Sequence, residues 1–147
     1  MRCVQFVIAL LSVIWLAGCQ TGRRSTSGFR LPPDGNAERG KLAFVAHKCH
    51  DCHTVAGVDL PKSEAEGTIP IPLGGPVAAA VSDSHLFTSI AYPAYKLANF
   101  PKEQTTVNGR SRMPPCAERM TIREITDIVE FLQAHYEIRE VARPAYY

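Results

Sequence analysis

The clearest pattern of apolar and polar positions lies near the C-terminus. There Ile125, Ile128, Val129, Leu132 and Tyr136 recur at three-to-four-residue spacing, which places them on one face of a helix. Thr121 followed by Glu124 supplies a capping box at its start. A first helix is predicted behind Asn36, a capping residue, with Glu38 in its opening turn and Ala37, Leu42, Phe44 and Val45 as its apolar positions. A shorter helix is expected from Ser82 or Asp83 through Ala91, broken by Pro93. No run alternates as a strand, so the pattern predicts an all-α domain joined by long loops rich in Pro and Gly.

The most apolar run stands apart from these. Val4 to Ala17 is fourteen residues long and interrupted only by Gln5 and Ser12. This suits a signal-peptide core and falls short of the roughly 20 residues that span a bilayer. It leads into Leu16-Ala17-Gly18-Cys19, which resembles the bacterial lipobox, with Cys19 as the lipidated residue and residues 1–18 removed. An ordinary secretory signal or a short buried helix are the other readings. Gln20 in place of Asp then implies, by the same resemblance, the outer membrane. Residues 19–35 are rich in Ser, Thr, Gly, Pro and Arg and read as the lipidated start and a flexible tether. The domain is expected over 36–136, with an irregular tail over 137–147.

Charge excludes one large class of function. Of 16 Lys and Arg residues only Arg2 leaves with residues 1–18, so 15 basic groups face 14 acidic ones. Such a balance predicts no phosphate-tracking surface and no nucleic-acid partner. Arg110, Arg112 and Arg119 do cluster locally, which a solvated loop would explain. The stretch Thr54 to Ser82 shows little periodicity and contains Pro61, Pro70, Pro72, Gly74, Gly75 and Pro76. A loop that long needs an organiser, and a large bound cofactor would supply one.

The candidate for that role is the stretch KCHDCHTV, Lys48 to Val55. Structural zinc wants four ligands, usually from a second Cys/His pair. The rest of the domain offers only Cys116, His47, His85 and His135, none at that spacing. A redox dithiol would want a βαβ context, whereas the residues after His53 read as loop. Cys-x-x-Cys-His fits covalent haem: Cys49 and Cys52 would add to two vinyl groups, and His53 would bind iron through Nε2.

With that motif in view, the chain resembles the class I c-type cytochromes. The resemblance rests on Gly40 to His53 (GKLAFVAHKCHDCH), on Met113-Pro114-Pro115 and on the helix containing Asp127 to Leu132 (DIVEFL), and it covers roughly 36–136. It implies a single covalent haem c and first and last helices that cross, with Gly40 and Phe44 meeting Phe131. It also implies a distal methionine in the loop before the last helix. Met113, 60 residues after His53, matches that position, with Met120 as rival and His85 and Cys116 as weaker candidates. Relatives carry a Gly-Pro shortly after the motif whose proline carbonyl receives the proximal histidine's Nδ1–H. Here Gly75-Pro76 comes late, and Pro70, Pro72 and Pro76 all stay open for that role. The insert before it carries Asp59, Lys62, Glu64 and Glu66.

These features together lead to an expected function: a lipid-anchored periplasmic electron carrier rather than an enzyme, exchanging single electrons with protein donors and acceptors. An electron-accepting subunit of a periplasmic oxidoreductase shares every motif, while a gas-binding sensor would require an open sixth position. Cys116 is an odd thiol, expected as a buried apolar residue or as a disulfide link between two chains.

Overall fold

The computed structural model describes residues 31–65, 70–97 and 99–139. The signal peptide, Cys19 and the last eight residues of the tail lie outside the described residues. In chain order the elements are helix α1 (Ala37–Ala46), a 3-10 turn (Cys49–Asp51), strands β1 (His53–Val55), β2 (Ile71–Leu73) and β3 (Gly75–Val77), helix α2 (Asp83–Ala91), the single turn α3 (Lys102–Thr105), strands β4 (Thr106–Val107) and β5 (Arg110–Ser111), helix α4 (Ile122–Gln133) and strand β6 (Tyr136–Ile138).

The two long-range helices begin where their caps stand. Asn36 accepts from the Arg39 amide at 2.8 Å. At α4, the Thr121 hydroxyl accepts from the Glu124 amide while the Glu124 carboxylate accepts from the Thr121 amide at 2.7 Å. Apolar residues then do the joining. Phe44 and Phe131 meet edge to face, with centroids 5.6 Å apart and an interplanar angle of 62°, and both are buried with Ile125, Ile128, Val129 and Leu132 in one core. Gly40 makes the contact possible, because a Cβ there would lie 2.0 Å from the Asp127 carbonyl oxygen and 2.7 Å from Phe131 Cβ.

A polar clasp closes the same junction. The buried Asp127 carboxylate accepts from the Asn36 amide at 2.8 Å and from Arg39 Nε and Nη2 at 2.8 and 2.9 Å. Burial raises this carboxyl's pKa, but the Arg39 and Asn36 bonds outweigh it and the net shift is downward. At the other end of α1, His47 Nε2 lies 3.1 Å from Glu124. Helix α2 is tied in by Gln133, whose Nε2 donates to the Val81 carbonyl and to Asp83.

The all-α expectation is overturned. Six short strands form three two-stranded sheets: β1 with β2 and β3 with β6 in parallel, β4 with β5 antiparallel. The domain is therefore mixed α and β. Strands of two or three residues are too short to show alternation, and β2 and β3 carry Pro72 and Pro76. Proline is tolerated because each strand has one partner only, leaving an open edge. The β4–β5 hairpin turns through Asn108-Gly109, both at positive φ, a residue pair strongly favoured in two-residue hairpin turns. Leu31 packs on the core and Gly35 lies against Glu130, while Glu137 and Ile138, placed in the irregular tail, belong to β6.

Replacing Gly40 by Ala should force α1 and α4 apart and cost about 3 kcal/mol, as overpacking of a tight core does. Urea unfolding measures this, and a loss below about 1 kcal/mol would contradict the close approach. A second test uses pH. The Thr121 amide, followed by His47 and the Thr121 hydroxyl, holds the Glu124 pKa down from 4.5 to about 2. Because the folded-state value is depressed, the contribution is present above about pH 4.5 and is lost as pH falls toward 2. The stability gap between the native chain and Glu124→Gln should narrow over that window in urea titrations; a constant gap would refute the assignment.

Candidate functional site

The Cys-x-x-Cys-His stretch is shaped by how α1 ends. The His47 and Lys48 amides bond back to the Ala43 and Val45 carbonyls, and Lys48 takes the left-handed conformation at φ 57°, the geometry that closes a helix. The chain then tightens into the 3-10 turn, in which the Cys52 amide bonds the Cys49 carbonyl at 3.2 Å. Both thiols are free and partly buried, and the turn holds them on one short segment. Directly behind it, His53 opens β1.

Pairing with β2 fixes the imidazole. His53 stands in register with Ile71, and the Ile71 amide bonds the Cys52 carbonyl at 2.8 Å. His53 Nδ1 lies 3.2 Å from the Ile71 carbonyl oxygen. A carbonyl only accepts, so Nδ1 carries the proton and the lone pair is on Nε2. Burial lowers the His53 pKa, opposed by the bond to Ile71, so the ring is held neutral as a ligand must be. The carbonyl that orients the histidine thus belongs to Ile71, and none of Pro70, Pro72 or Pro76 serves. The two flanking prolines stiffen the segment that presents it.

The insert after the motif folds back onto it. Ser63 Oγ donates to the Asp51 carbonyl, the Glu64 amide donates to Asp51 Oδ1, and Lys48 Nζ donates to Glu64, each at 3.0 Å. These bonds brace residues 48–51 from outside. Nothing in the loop's composition signalled where it would fold.

Met113 lies two residues beyond β5. It is partly buried and packs on the same core as Cys49, while the alternation along the segment turns Arg110 and Arg112 outward. Met120 is buried at the start of α4, its amide bonded to the Cys116 carbonyl at 3.0 Å. His85 is exposed on α2. The Cys116 thiol is 5% exposed and donates to the Pro114 carbonyl, so a bridge to a second chain would require this loop to open.

The donor set suits a haem attached through two thioethers: two free thiols on one turn and a neutral imidazole with its Nδ1 proton engaged. Among the described residues no group of three or more His, Cys, Asp or Glu side chains lies close enough to hold a metal ion. No helix among the described residues is long and apolar enough to cross a membrane. No protein-family model, curated protein or solved structure matches the chain.

Environment distinguishes the two motif thiols. Burial, reinforced by the Cys116 thiol, pushes Cys49 up to about 12. Cys52 is also raised, by burial and then by Asp51, but it is the less enclosed of the two. Since the thiolate is the nucleophile, iodoacetamide should label Cys52 several-fold faster than Cys49 in the haem-free chain, as peptide mapping would record. Equal rates would contradict this environment.

Proposed function

We propose that the protein is a monohaem c-type cytochrome that passes single electrons between redox proteins. The observation that carries this is the His53 Nδ1 bond to the Ile71 carbonyl at 3.2 Å, directly after two free cysteines on one turn. That bond fixes both tautomer and ring plane and leaves Nε2 available to iron.

When bound, haem c supplies a one-electron iron couple. The chain's own residues do the rest. Cys49 and Cys52 would hold the macrocycle by thioether bonds, and His53 would bind the iron through Nε2. Met113 would supply the second ligand, a soft, neutral thioether that favours reduced iron and raises the potential relative to two imidazoles. Met120 is the poorer choice because its side chain is spent in the core beneath α4. A site held on both sides by His53 and Met113 would suit electron transfer rather than substrate turnover. The resemblance to class I c-type cytochromes is proposed on the motifs, not on an all-helical fold.

The lipobox-like run ending at Cys19 supports an anchored protein on the periplasmic side of the membrane, with the outer membrane favoured by Gln20. Service as the electron-accepting subunit of a larger oxidoreductase is the second reading that the same motifs allow.

Carbon monoxide tests the distal assignment. The reduced, haem-loaded chain should show an unchanged optical spectrum on adding the gas, whereas Met113→Ala should bind it and shift the Soret band. If the native protein binds carbon monoxide readily, the sixth position is open and sensing replaces electron transfer.

A further inference from the structure

The loop that carries Met113 is tied down at one point. Pro114 and Pro115 have no amide hydrogen to donate, and both residues are exposed. Before the loop, the Arg112 amide bonds the Thr105 carbonyl at 2.7 Å; after it, the Cys116 carbonyl accepts from the Arg119 and Met120 amides at 2.9 and 3.0 Å. Between these anchors, one hydrogen bond among the described residues reaches residues 113–115. It is the bond that Cys116 Sγ donates to the Pro114 carbonyl at 3.4 Å.

Burial singles out the same residue. From Met113 to Met120 the chain turns three residues inward, Met113, Cys116 and Met120, and leaves the other five exposed. Cys116 and Met120 belong to the buried core, and Met113 packs against it. Cys116 is thus the nearest fixed point beyond Met113, three residues on, and its main chain opens the turn that runs into the Thr121 cap of α4. Met113 precedes a proline, which keeps its backbone extended, and the two prolines fix φ at the next two residues. A segment this stiff carries the position of its one bond through to the methionine.

We propose that Cys116 is a positioning residue for Met113, holding the Met113-Pro114-Pro115 segment on the core through the bond from its thiol to the Pro114 carbonyl. This rests on the haem assignment above, with Met113 as the distal ligand, and gives the odd thiol a role that needs no oxidation and no second chain. Cys116 does not touch the iron. A thiol is a weak donor, so the bond is modest, yet its effect is directly readable. A ligand that competes with Met113 binds with its intrinsic affinity scaled by the fraction of chains in which the segment is open, and Cys116 sets that fraction.

The test is the binding of imidazole to the oxidised, haem-loaded, full-length chain, followed by its optical spectrum. Cys116→Val removes the donor and keeps the position apolar, whereas Cys116→Ser keeps a donor. The native chain should bind imidazole weakly, Cys116→Val about fivefold more tightly, as loss of one hydrogen bond implies, and Cys116→Ser close to the native value. Should Cys116→Val fail to take up haem, Cys116→Ala, smaller and also without a donor, carries the same expectation. In a Met113→Ala background no ligand remains to be positioned, so Cys116→Val should leave the imidazole affinity unchanged. A core that had merely loosened would raise the affinity in both backgrounds. That result, equal affinities of the native and Cys116→Val chains, or a Cys116→Ser chain that behaves like Cys116→Val would each overturn this proposal alone. A native chain that binds imidazole as tightly as Met113→Ala would overturn the distal assignment beneath it, and a chain that takes up no haem the functional reading as a whole.

Discussion

The close approach of α1 to α4 at Gly40 is the constraint on which the rest of the structure depends. A side chain at that position would collide with the backbone of Asp127. Its absence lets Phe44 reach Phe131 and lets one carboxylate serve the start of α1 three times over, through the Asn36 amide and two Arg39 nitrogens. A buried carboxylate is costly unless its oxygens are engaged, so this clasp specifies register as much as it adds stability.

From that junction the candidate site follows by short steps. With α1 pinned along α4, its C-terminal end is held by His47 against Glu124, and the left-handed Lys48 turns the chain into the cysteine pair. The short parallel pairing of β1 with β2 then brings the Ile71 carbonyl to His53. The last helix also sets the other side: Thr121 caps it, and the Met113 to Met120 segment is folded onto the core just before that cap. Strand β6, leaving α4, closes the unit by pairing with β3.

The three longer helices were legible in the sequence, and the Cys-x-x-Cys-His motif could be read there, because each is a local code, while the single turn Lys102–Thr105 carried no such signal. Thr121 and Glu124 are three residues apart, the apolar face of α4 repeats every three to four, and Cys49, Cys52 and His53 fall within five positions. The sheets were not legible, for a physical reason. Their strands are two or three residues long, and two of the three pairs join segments far apart in the chain, where register comes from tertiary packing. The same holds for Ile71: any carbonyl can accept, so the side chain at that position carries no signal. The Asn108-Gly109 turn is the exception, a local cue to the β4–β5 hairpin written in two residues.

The account stands or falls on covalent attachment at Cys49 and Cys52. The direct measurement is the intact mass of the chain, produced with haem-maturation machinery and stripped with acidified acetone, which removes haem that is not covalently bound. The native chain should retain the mass of one haem, and the Cys49→Ala, Cys52→Ala double variant should retain none. A native chain that returns to its polypeptide mass after extraction would contradict it.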